Sequence, residues 1–138
     1  MRMELLDCIS ALYGGNVQLF PPYEGRRPEG LPAALFDLLQ RSDGVMETMV
    51  HPQTGEVIPV SWIIYPCSMI TEETAFYRET YNTEGTVFSS DGAGDPFLLK
   101  SNGTVVRFDA IDGEETPAAR SLSDFYRIPI EGTVQGQP

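Results

Sequence analysis

Seven consecutive residues, Ser89-Ser90-Asp91-Gly92-Ala93-Gly94-Asp95, set two carboxylates, two hydroxyls and two glycines between apolar runs. Three kinds of chemistry fit that composition. A phosphate cradle would use backbone N–H groups freed by the glycines. The G-x-G-x-x-G spacing fails at Phe97, however, no Walker lysine follows, and two aspartates repel phosphate. A divalent-metal site, calcium foremost, would draw hard oxygens from Asp91, Asp95 and nearby carbonyls. The loop lacks the denser D-x-D-x-D-G series and the terminal glutamate of an EF-hand. The third reading is a turn, in which the Asp91 side chain bonds to nearby backbone while the glycines take positive φ. This reading is favoured.

Nucleophilic catalysis is poorly supplied. His51 is the one histidine and stands in a predicted turn beside Pro52, so any Ser-His-Asp or Cys-His arrangement would have to be built on it. Cys8 and Cys67 are far apart and belong to no C-x-x-C pair. One histidine and two separated cysteines do not make a transition-metal site, and they read as free buried thiols of a reducing compartment. No catalytic residue, cofactor or metal ligand is expected. The enzymatic alternative is a divalent-metal-dependent hydrolase using Asp91 and Asp95. Acidic residues offer a different role. Asp91, Asp95 and the Glu114-Glu115 pair are the candidates for contact with a basic protein partner, against the plainer reading of a solvated acidic surface.

The elements that must position these groups are legible from periodicity. Leu5, Leu6, Ile9, Leu12 and Tyr13 share a helical face that Gly14-Gly15 ends. Pro21-Pro22 and 24–30 read as an exposed linker. A second helix opens at Leu31-Pro32, buries Leu35, Phe36, Leu38 and Leu39, and stops at Ser42-Asp43-Gly44. Two helices thus precede the first expected strand. Runs 45–50 and 56–64 flank the hairpin loop His51–Gly55, with Pro59 marking an edge or bulge and Trp62 expected in the core. Thr71 is expected to cap a helix whose aromatic stripe, Phe76, Tyr77 and Tyr81, packs into the core, and Asn82–Gly85 closes it. Three β-rich runs follow, centred on Val87-Phe88, Phe97–Leu99 and Val105–Phe108, the last two joined by Ser101-Asn102-Gly103. Residues 112–117 read as a charged loop, and Ser121 caps a short last helix with Leu122 and Phe125 pointing inward.

Length and composition bound the whole. The 138 residues, 41% hydrophobic, suit one domain with a true core. Twenty acids against nine bases give a formal charge of −11, which repels phosphate backbones and disfavours nucleic acid. A single lysine, Lys100, beside eight arginines limits attachment to anionic lipid. Acids lie where a signal peptide would have its apolar core, and no run reaches the ~18–20 apolar residues of a membrane span. A soluble cytoplasmic protein is expected. Hairpins outnumber strand–helix–strand units, which predicts an α+β domain: one antiparallel sheet of about five to six strands against three to four helices.

Several blocks, in order, resemble one family. Leu31-Pro32 through Ser42-Asp43-Gly44 looks like its "LP…l…nG" opening. Val87–Phe97 looks like its central "f…dg.Gd.f" signature, and Asn102-Gly103-Thr104-Val105 with Ser121–Phe125 looks like its later strand pair and final helix. The chain is similar in these respects to the SUKH superfamily, of the Smi/Knr type, from about residue 31 to 126. The resemblance makes Leu31, Pro32, Gly44, Gly92, Gly94, Asp95, Phe97, Gly103 and Phe125 its fold signature. It implies a single domain, taken over 1–131, while 132–138, polar and without periodicity, reads as a flexible tail. It also implies no enzymatic activity. The bacterial type binds and neutralises a cognate toxin as an immunity protein, and the fungal type regulates cell-wall synthesis. The lack of long flanking arms resembles the bacterial type.

Overall fold

The computed structural model describes residues 5–126, so the tail expected at 132–138 lies outside the described residues. In chain order the elements are α1 (Leu5–Leu12), β1 (Val17–Leu19), α2 (Ala33–Leu39), β2 (Val45–Val50), β3 (Val57–Ile64), α3 (Cys67–Tyr81), β4 (Thr86–Ser90), β5 (Pro96–Leu99), β6 (Val105–Phe108), β7 (Glu115–Ala119) and α4 (Leu122–Phe125). All strand pairs are antiparallel, as short hairpin connections require. The α+β class therefore holds. Among the described residues the strands number seven and divide into two sheets, ordered β1-β2-β3 and β4-β5-β6-β7, where one sheet of about five to six was expected.

Two strands make the difference. β1 lies between α1 and α2, so the first strand follows one helix, not two. Its three residues are too few to show a period. Pairing of Val17 with Glu47 and Leu19 with Val45 defines it instead. β7 occupies part of the segment read as a charged loop. Its Pro117 removes one ladder donor, which the outer edge of a sheet tolerates. Pro59 behaves similarly on β3, itself an edge strand. Val60 is the extra residue of a bulge, because Glu47 and Thr48 face Ser61 and Pro59.

The two sheets meet where β3 runs into α3. The Tyr65 amide donates to the Phe88 carbonyl at 2.9 Å. The Ile63 carbonyl accepts from Ser89 Oγ at 2.7 Å and from the Tyr126 hydroxyl at 2.9 Å. Phe88 is the extra residue of a second bulge, opposite the Leu98–Phe97 step, and its side chain is fully buried. The Phe125 ring stands 5.6 Å from it. Ile9, Leu35, Val45, Ile64 and Leu98 complete the centre of the core, so α1, α2 and both sheets share one apolar interior.

Local chemistry explains the helix ends. α3 begins at Cys67, four residues before the expected Thr71 cap, because Pro66 starts it without a side-chain acceptor. Asp43 supplies that acceptor from the α2–β2 turn: its Oδ1 takes the Cys67 amide at 2.7 Å. Thr71 instead donates to the Cys67 carbonyl at 3.0 Å. Asn82 closes α3 in the left-handed region at φ 59°, and Ser121 Oγ caps α4 by accepting from the Asp124 amide.

Candidate binding surface

The Ser89–Asp95 loop joins β4 to β5, and its polarity is spent largely on itself. Asp91 Oδ1 accepts from the Ala93 amide at 2.8 Å and from the Asp95 amide at 3.1 Å, while the Asp91 amide donates to the Asp95 carbonyl at 2.9 Å. Gly92 and Gly94 lie at φ 84° and 105°, the left-handed region that a Cβ disfavours. The other Asp91 oxygen stands 4.0 Å from Arg107 Nη1 on β6. Among the described residues no group of three or more His, Cys, Asp or Glu side chains converges.

Below this loop a cleft of about 330 Å³ opens where the sheets meet, lined by Tyr13, Glu47, Ser61, Trp62, Asp91 and Phe125 among others. Burial raises the Tyr13 hydroxyl above its ordinary range, and the neighbouring Glu47 carboxylate raises it further. Trp62, expected in the core, is half-buried and packs its ring 5.3 Å from Phe20. His51 uses Nδ1 to accept from the Gln53 and Thr54 amides at 3.1 and 3.2 Å, holding its hairpin turn.

The other acidic candidates lie apart. Glu114 sits in the β6–β7 turn, its amide donating to Asp112 Oδ1 at 2.8 Å. Glu115 begins β7 and pairs with Lys100 Nζ at 2.6 Å, and the same ammonium reaches the Glu84 carbonyl at 2.8 Å. Asp91 and Asp95 therefore share one turn, while Glu114 and Glu115 belong to another. Among the described residues no hydrogen bond or ion pair joins the two sets.

The remaining signature residues hold backbone and packing. Leu31 is buried, Pro32 precedes the first turn of α2, and Phe97 packs 4.7 Å from Phe125. Gly44 (φ 101°) lies under Trp62 and Pro66, and Gly103 (φ 92°) sits in the β5–β6 turn.

One feature runs against the sequence expectation. The aromatic stripe of α3 is core only in part: Tyr77 is half-buried against the core, while Phe76 is 50% exposed and Tyr81 40%. The spacing does define one helical face, and that face meets β6 at Phe108. Tyr77 and Tyr81 stack at 5.5 Å, Phe76 stands edge-on to Tyr77 at 5.2 Å, and both tyrosines contact buried Phe108 at 6.1 and 5.3 Å. Burial raises the Tyr77 hydroxyl, and the carboxylate of Glu73 raises it next, with Tyr65, Tyr81 and Asp95 adding to the effect. The four-residue spacing of Glu73, Tyr77 and Tyr81 was the signal available in the sequence.

Among the described residues no helix is long and apolar enough to cross a membrane. A family model described as the SMI1 / KNR4 family (SUKH-1) matches residues 27–128 of the chain. No curated protein and no solved structure matches it.

Proposed function

The chain belongs to the SMI1 / KNR4 family (SUKH-1), and from that premise we propose that it is a non-enzymatic protein-binding domain acting as a cytoplasmic immunity protein, neutralising a cognate toxin by direct contact. The observation that carries the reading is the formal charge of −11 on a domain of this size. Such a surface accelerates encounter with a basic protein and disfavours phosphate-bearing partners. The acids bearing on contact are Asp91, Asp95, Glu114 and Glu115, to which Glu47 and Glu73 are added by their positions at the cleft and on α3.

Co-expression with the toxin encoded beside it tests the proposal. The expected result is survival of the host and a stable complex whose association rate falls as salt rises. Survival equal to that of cells lacking the protein, or the absence of a complex, overturns it. A cellular wall-synthesis partner recovered in place of a toxin would instead establish the regulatory role known in the same family.

A further inference from the structure

Resting on the protein-binding reading above, we infer that the face of α3 formed by Phe76, Tyr77 and Tyr81, seated on buried Phe108 of β6 with Glu73 beside it, is the docking face for an arginine-bearing segment of a basic partner. Two observations select the face. Four rings packed in a chain of contacts present two half-exposed members to solvent, an uncommon use of aromatic area on a protein surface. The charge around them is mainly acidic: α3 carries Glu72, Glu73 and Glu79 against one base, Arg78, which lines a different groove with Gly30 and Thr86, and Arg107 of β6 is turned to Asp91.

A guanidinium fits both properties. Its plane stacks on tyrosine and phenylalanine rings while its N–H groups reach carboxylates, and it sheds water more readily than an ammonium. The cleft between the sheets suits it less well. The Asp91 carboxylate there already holds two amides of its own loop and faces Arg107. Exposed Val50, Val57 and Val60 on the β2–β3 hairpin offer apolar area without rings to stack on.

The test is an NMR titration of the intact chain with a capped hexapeptide of alternating arginine and glycine, and with its lysine counterpart. Amide shifts centred on α3 and β6 are expected, weaker for the lysine peptide. Phe76→Ala and Tyr81→Ala should each weaken arginine-peptide binding by about two- to fivefold, the size of one exposed cation–π contact. Both side chains are half-exposed, so the variants should keep the wild-type spectrum elsewhere. Glu73→Gln gives a third variant on the same face and should weaken binding in the same direction. Shifts centred on the Asp91 loop or the β6–β7 turn, shifts spread evenly over the acidic surface, or none at millimolar peptide would each overturn the inference. None of those results bears on protection in the co-expression experiment, and a failure to protect would leave the titration to stand or fall alone.

Discussion

Replacing Gly44 by alanine separates backbone strain from close packing, because the chain contains its own control. Gly44 and Gly94 have nearly the same φ, 101° and 105°. In either place an alanine meets the left-handed backbone penalty of roughly 1–2 kcal/mol. At Gly94 nothing lies within 4 Å of the added Cβ, so the cost ends there. At Gly44 the Cβ would sit 2.9 Å from Trp62 Cζ3, 3.1 Å from Pro66 N and 3.2 Å from Pro66 Cδ. Trp62 is held against Phe20, and Pro66 is backbone at the start of α3. Neither neighbour swings aside, so overpacking adds about 1–3 kcal/mol. The expected totals are about 2–5 kcal/mol for G44A and about 1–2 kcal/mol for G94A. In melting temperature this is roughly 6–20 °C for G44A in a domain of this length. Urea denaturation of both variants, with unchanged slopes, measures the difference. Equal midpoints for the two would refute the close approach of the α2–β2 turn to Trp62 and Pro66.

Asp43→Ala should destabilise by about 0.5–2 kcal/mol, as loss of a helix cap does, with Asp43→Asn losing less because it keeps an acceptor; denaturation midpoints check both. Phe88→Ala empties a fully buried site and should cost about 3–5 kcal/mol in the same assay. The Tyr126 hydroxyl is pushed well above its ordinary value by burial, foremost. A raised folded-state value favours the neutral form, so this contribution is complete below pH ~10 and is lost as pH climbs further. Midpoints at pH 8 and pH 11 should fall less in Tyr126→Phe than in the parent, and a parallel fall would count against the burial of that hydroxyl. At pH 8 the same variant should cost only about 0.5–1.5 kcal/mol, since Ser89 still donates to the Ile63 carbonyl.

The readable parts of this fold are those whose causes are local in the chain. Asn82 and Ser121 end or start helices through bonds spanning a few residues, and the His51 hairpin closes on itself, so each is visible as a short pattern. The start of α3 was not, because its acceptor, Asp43, stands 24 residues earlier. β1 exists only through β2, and β7 hides a strand behind a glutamate and a proline. For the candidate surface, spacing placed Phe76, Tyr77 and Tyr81 together but not what they face. A helical stripe reports a direction, and only the position of β6 decides how much of it stays open. The internal bonding of Asp91 was legible because it needs no partner outside its own turn.

The doubly accepting Ile63 carbonyl also sets an order of events during synthesis. Ser89 follows it by 26 residues and Tyr126 by 63. At ~5–20 residues per second, the first donor leaves the ribosome roughly 1–5 s after Ile63 and the second roughly 3–13 s after it. In that interval β3 has its hairpin partner but neither β4 nor the Tyr126 lock. The edge strand with Pro59 and the Val60 bulge is then guarded only by its own irregularity against pairing with a neighbouring nascent chain.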